Sequence, residues 1–127
     1  MRRMPSSPTR AATSRIFHIC SRSQAEQARA CGEYTAPSLT REGFIHCAQA
    51  HQVMGVRAAF YADQPDLVVL AVDPALVQAP LRYEAPAHPS ARADAPLPAA
   101  DQLFPHLYGP LPWQAVVELI DIDDFRG

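Results

Sequence analysis

The run Leu67-Val68-Val69-Leu70-Ala71-Val72 constrains the fold of this chain more than any other segment. It is apolar at every position and is bounded by Pro65-Asp66 and by Asp73-Pro74. Six such residues suit a strand covered on both faces better than a helix. A strand of that kind lies centrally in its sheet, so the fold must supply neighbours at both edges and layers on both faces. The remaining elements have to be arranged around it.

At 127 residues the chain is one domain, and a 48% hydrophobic content supports a real core. Ile16 to Cys20 alternates, with Ile16, His18 and Cys20 on one face and Phe17 and Ile19 on the other. The spacing predicts a helix over Ser23–Cys31. Ser23 and Glu26 read as a capping box, Gly32 suits the position past the end, and Ala25, Ala28 and Cys31 form a small-residue stripe. Tyr34 to Leu39 reads as extended and interrupted by Pro37, and Thr40-Arg41-Glu42-Gly43 as a turn. Phe44–Cys47 is a second strand. A second helix runs from Gln49 to Tyr61, with Val53, Val56 or Arg57, and Phe60 on one side; Gly55 weakens it.

After the central run come a short strand at Leu81–Glu84 and an ordered segment at Leu103–Tyr108. A rigid turn at Gly109-Pro110-Leu111-Pro112, a helical turn at Trp113–Val116 and a final strand at Val116–Ile122 complete the chain. This order fits an α+β domain with a mostly antiparallel sheet and two helices. Residues 1–14 read as a disordered tail and residues 15–124 as the single domain. Within it, 85–101 is a Pro/Ala-rich surface loop, long enough to be functional or mobile.

Charge and cysteine usage narrow the function. All eleven basic residues are arginine, so a lysine Schiff base and a P-loop lysine are excluded. Arg2, Arg3, Arg10 and Arg15 give the first fifteen residues +4, and the rest of the chain is acidic within a net charge of −2. An acidic body is a poor binder of nucleic-acid backbones, so no nucleic-acid partner is expected. Cys20, Cys31 and Cys47 are odd in number and form no C-x-x-C pair, which fits a reducing cytoplasm. No apolar run approaches the roughly 18 residues of a membrane span, and no secretory h-region is present.

Three apolar segments each carry one histidine: Ile16-Phe17-His18-Ile19-Cys20, Gly43-Phe44-Ile45-His46-Cys47 and Leu103-Phe104-Pro105-His106-Leu107-Tyr108. An ionisable side chain in such a strand is costly unless it is paired or used. Imidazole is also the group most easily tuned to move protons near neutral pH. If the three segments neighbour one another in space, His18, His46 and His106 form one pocket and are the candidate catalytic residues. For His18, a core histidine donating to a carbonyl stands beside a pocket residue. Tyr108 lies two residues beyond His106 and can face the same way, on a backbone stiffened by proline.

The candidate ligand contacts are Tyr34, Ser38, Glu84 and Tyr108. Ser38 reads equally as a ligand donor and as a turn serine bonded to nearby backbone. Glu33, Glu42, Glu84 and Glu118 each read as solvated edge charges, and Glu84, at the mouth of the Pro/Ala-rich loop, is the one to test first. Cys47 points away from His46 on an extended backbone, so His46 does not activate it and it reads as core. The only close pair of histidines is His46 and His51, and His51 reads as exposed. The spacing therefore argues against a metal site.

The segments Ile16-Phe17-His18-Ile19, Gly43-Phe44-Ile45-His46-Cys47, Pro65-Asp66-Leu67-Val68 and Phe104 through Pro112 resemble those of the bacterial domain of unknown function 952 family. The resemblance covers about Ile16 to Ile120. A serine that often follows the strand histidine and its neighbour in that family is replaced by Ala48.

The resemblance implies a split antiparallel sheet of the ADP-ribosyltransferase-like fold, which cradles NAD. In that superfamily a first-strand histidine, a later tyrosine or serine, and a glutamate form a triad. His18 looks like the first member, the second falls near Ser38 or His46, and His106 stands in the region of the third without an obvious glutamate. A cationic imidazole there would repel an oxocarbenium-like ribose, so nucleotide binding can persist where ordinary ADP-ribosyl transfer does not. Two readings follow. One is an enzyme acting on NAD, ADP-ribose or another nucleotide-derived ligand, with Arg41, Arg57 and Arg82 available for phosphate. The other is a non-catalytic small-molecule binding module.

Overall fold

In the computed structural model, residues 15–85 and 102–126 are described. Readings placed on residues 1–14 and 86–101 lie outside them. The central strand is where the apolar run requires it. Strand β1 (Ile16–Ser21) pairs antiparallel with Leu67–Val72, placing His18 opposite Leu70. On the other edge, Val116–Asp121 pairs antiparallel with the same strand, with Leu119 opposite Leu70 and an irregularity at Ala71/Val72. All six residues of Leu67–Val72 are buried.

The twofold alternation of that strand divides two hydrophobic cores. Val68, Leu70 and Val72 join Ile16, Cys20, Ala25, Ala28, Ile45 and Leu107 in one. Leu67 and Val69 join Ile19, Val53, Ile122 and Phe125 in the other. His18 shares the first face, at the edge of the larger core.

Helix α1 (Arg22–Cys31) starts before the predicted Ser23. The cap is Ser21, the last residue of β1, whose extended backbone turns Oγ onto the Gln24 amide at 3.0 Å. Gln24 reaches back to the Ser21 amide, so glutamine fills the role expected of Glu26 two positions later. The helix ends at Gly32, φ +96°. Ala25 and Ala28 are buried, but Cys31 is exposed and is not part of the packed stripe.

Strand β2 (Glu33–Tyr34) is the extended part of the next segment, and it pairs with Leu111–Pro112. Pro37–Glu42, expected as strand and turn, is helix α2. Pro37 occupies its first turn, where no amide hydrogen is needed, and Gly43 closes it at φ +91° with its N–H on the Leu39 and Ser38 carbonyls. Six residues are too few to display a helical period, so the two end signals were its only trace.

Strand β3 (Ile45–His46) leads through a single 3₁₀ turn (Ala50–Gln52) into α3 (Val53–Phe60). Val53 is fully buried, while Phe60, expected on the same side of the helix, is 62% exposed. In chain order, β4 is Leu67–Val72, β5 is Leu81–Glu84, β6 is Phe104–Leu107, β7 is Leu111–Pro112 and β8 is Val116–Asp121. The expected helical turn at Trp113 is the 3₁₀ segment Trp113–Ala115.

The described residues form an α+β fold with three α-helices, one more than expected, and three antiparallel sheets: β1-β4-β8, β2-β7 and β3-β6-β5. A reciprocal bridge joins the first and third sheets. The Phe17 amide donates to the Ala48 carbonyl at 2.9 Å, and the Ala48 amide donates back at 2.7 Å. That bridge brings the His18 and His46 strands side by side. No described helix is long and apolar enough to cross a membrane.

Candidate functional site

The register of the third sheet aligns its polar residues in one row. His46 lies directly opposite His106, and His106 directly opposite Arg82. Directly opposed residues share a face, as do residues two apart, so Glu84, Phe104 and Tyr108 belong to that face too. The other face supplies Ile45, Cys47, Leu81 and Leu107 to the larger core.

A cleft of about 610 Å³ opens where this polar face meets β1, α2 and α3. His18, His46 and His106 all line it, with Tyr34 and Ser38. Arg41 and Glu42 come from the last turn of α2, and Phe17, Phe60 and Tyr61 add aromatic surface. Glu84 and Tyr108 are not in the cleft wall; from behind it Glu84 bonds to His106, and Tyr108 donates to Glu84.

Each histidine is held differently. His18 is buried, and its Nδ1 lies 2.6 Å from the His46 carbonyl oxygen. A carbonyl only accepts, so Nδ1 carries the proton and donates. In the neutral ring Nε2 then accepts from the Tyr34 hydroxyl, 2.8 Å away. Burial is the main force on this imidazole and pushes its pKa down to about 4, against the opposing His46 carbonyl bond and with a further lowering from the His46 charge. His18 is thus neutral at pH 7, with both nitrogens committed to protein partners. Burial likewise raises the Tyr34 phenol, which remains protonated and can donate.

His46 sits at the open edge, 41% exposed at its side chain, with Nε2 bonded to the Glu42 carboxylate. The αL turn at Gly43 folds the end of α2 back beside β3 and makes this pair. In the sequence Glu42 reads as a solvated charge, because the short helix that positions it leaves little local signal.

His106 is 2% exposed. Phe44 stacks on its ring with a 4.1 Å centroid separation and 20° between planes, and the His46 ring stands edge-on at 5.6 Å. Its Nδ1 is 2.7 Å from Glu84 Oε1, which also accepts from the Tyr108 hydroxyl at 2.6 Å. The Tyr108 and His106 hydrogen bonds hold Glu84 below the usual carboxylate range, and the hydrogen bond to Glu84, with burial and the Glu84 charge, raises the Tyr108 phenol. Burial lowers the His106 pKa, opposed by its Glu84 hydrogen bond and charge.

The Ser38 hydroxyl donates to the Phe44 carbonyl at 2.8 Å, so its first role is to brace the turn that carries Phe44. Arg82 lies over the Tyr108 ring, 5.4 Å from its centroid, and Arg57 pairs with Asp123. Arg41 is the guanidinium in the cleft wall, exposed and without a carboxylate partner among the described residues. Burial pushes the Cys20 and Cys47 thiols up to about 12, so neither is a nucleophile near neutral pH. Among the described residues no three metal-ligating side chains converge.

The family described as Protein of unknown function (DUF952) matches residues 19–119, most of the folded chain. The chain belongs to the DUF952 family. Its fold is similar to that of CC0527 from Caulobacter crescentus. The crystal structure of that protein aligns with a TM-score of 0.68 at 29% identity, over 85% of each chain. Its solution NMR structure aligns with a TM-score of 0.64 over 84% of this DUF952 chain and 83% of CC0527, again at 29% identity. No curated protein matches.

Proposed function

We propose that the cleft binds a small phosphate-bearing ligand of the nucleotide class, with NAD, ADP-ribose or a related nucleotide as the leading candidates, and acts on it chemically. The observation that carries this reading is the placement of the Arg41 guanidinium, without a carboxylate partner among the described residues, in the same wall as His18, His46 and His106. Guanidinium matches phosphate oxygens in a bidentate geometry. Phe17, Phe60 and Tyr61 offer flat apolar surface for a heteroaromatic ring. His46 and His106 would bind or exchange protons, each beside a carboxylate that orients it.

An ADP-ribosyltransferase-like fold, which the resemblance of the motifs to the DUF952 family implies, would suit the same ligand class. In that frame His106 takes the third position, with Glu84 behind it rather than in the cleft. Because burial keeps His106 below the ordinary imidazole range, a neutral ring faces the ligand at pH 7. The repulsion of an oxocarbenium-like ribose by an imidazolium is then removed. The second reading, a binding module without turnover, is favoured by His18, whose nitrogens are both occupied by protein partners.

Isothermal titration of the full chain with ADP-ribose and NAD, repeated on Arg41→Ala and His46→Ala, tests the ligand. Losing a charge-assisted phosphate contact costs about 1.5–3 kcal/mol, a tenfold or greater weakening. Wild-type binding that weakens by that factor in Arg41→Ala supports the reading. Equal affinity in both proteins, or no binding by wild type, contradicts it. Product formation that is lost in His46→Ala separates the enzyme from the module.

A further inference from the structure

His106 has one nitrogen accounted for and one not. Nδ1 faces Glu84, which is held ionised and therefore only accepts, so the proton resides on Nδ1. Nε2, on the other side of the ring, has no hydrogen-bond partner among the described residues, although His106 is 2% exposed and part of the cleft wall. A buried polar atom left without a partner is uncommon and calls for an explanation. The Glu84 bond to Nδ1 and the Phe44 stack together hold the ring in this orientation.

We infer that His106 Nε2 is the hydrogen-bond acceptor of the cleft for an O–H or N–H donor on the ligand, fixed in that state by Glu84 and Tyr108 as positioning residues. The inference rests on the cleft being a ligand site and adds a division of labour within it. The lone pair of a neutral imidazole repels phosphate oxygens and attracts donors. Arg41 therefore takes the anionic part of the ligand, while His106 selects a hydroxyl or amino group. Tyr108 moderates the dyad. By donating to Glu84 Oε1, the atom that also faces His106, it draws off part of the carboxylate charge that the imidazole feels.

The groups facing this dyad are Glu84, Tyr108, Arg82, His46 and Glu42. Their signs make the two positioning residues distinguishable. Removing the Glu84 charge disfavours the imidazolium, so Glu84→Gln moves the His106 titration midpoint down. Removing the Tyr108 donor leaves Glu84 a stronger partner for Nδ1, so Tyr108→Phe moves it up. A merely structural role for either residue gives no such opposition.

The test is imidazole ¹⁵N NMR of the full chain, with His106 assigned by His106→Gln, across pH and in both variants. The expected result is a neutral His106 protonated on Nδ1, with midpoints displaced in opposite directions. An Nε2-protonated ring, or midpoints moving together, overturns the positioning claim without any ligand present. In a second arm, ADP-ribose is added. A change in the Nε2 resonance in the bound state supports the acceptor role. Binding that leaves Nε2 unchanged overturns that role while the ligand reading stands, and absence of binding overturns the ligand reading instead.

Discussion

The His18 imidazole carries a cost that the fold meets through its two partners. Its neutral form fits the buried site, and the Tyr34 hydroxyl and the His46 carbonyl occupy its nitrogens. In the unfolded chain it titrates near its ordinary value of 6.5, but in the folded protein only near 4. Between those values the unfolded state binds more protons, so stability falls as the pH drops from about 6.5 toward 4 and is unaffected above that window. The full effect is about 3 kcal/mol, taking roughly 1.4 kcal/mol per pH unit. Urea unfolding at pH 7 and pH 4.5 should show most of this loss in wild type, with a flatter dependence in His18→Gln. Identical slopes in the two proteins would show that His18 is not held neutral. The histidines themselves were legible in the sequence, since an ionisable residue in each apolar segment needs a reason. Their partners were not. Glu84 meets His106 across a strand pairing, and no local pattern encodes that contact.

At the scale of elements, β4 was legible because an all-apolar strand leaves few alternatives, and α2 was not. This one-and-a-half-turn helix nevertheless positions four residues of the cleft wall: Pro37, Ser38, Arg41 and Glu42. Its hold depends on Gly43 at φ +91°, where a side chain would meet nothing within 4 Å but would strain the backbone. Gly43→Ala should therefore cost about 1–2 kcal/mol by conformation alone. Denaturant unfolding measures that cost. It should be accompanied by loss of the His46–Glu42 contact, visible as a displaced His46 ring resonance. An unchanged midpoint would mean that α2 ends without needing the left-handed turn. The α1 boundary carries a related lesson. Ser21 competes with Ser23 for the cap, and the extended end of β1 decides in favour of Ser21.

For the whole molecule, the cleft exists because two sheets meet at the Phe17–Ala48 bridge. β1 contributes His18 from the first sheet, β3 and β6 contribute His46 and His106 from the third, and α2 brings Arg41 to the same wall. An antiparallel α+β architecture could be read from the order of elements. The junction could not, because it rests on long-range pairings between segments that look alike in sequence. The central claim is that these parts compose one ligand site. Amide chemical-shift mapping of the ¹⁵N-labelled chain during titration with ADP-ribose tests it most directly. Saturable shifts concentrated at His18, Tyr34, Arg41 through His46, and His106, weakening in Arg41→Ala, are the expected result. Shifts absent from those residues, or gathered instead on the exposed β8 face around Val117 and Leu119, would contradict it.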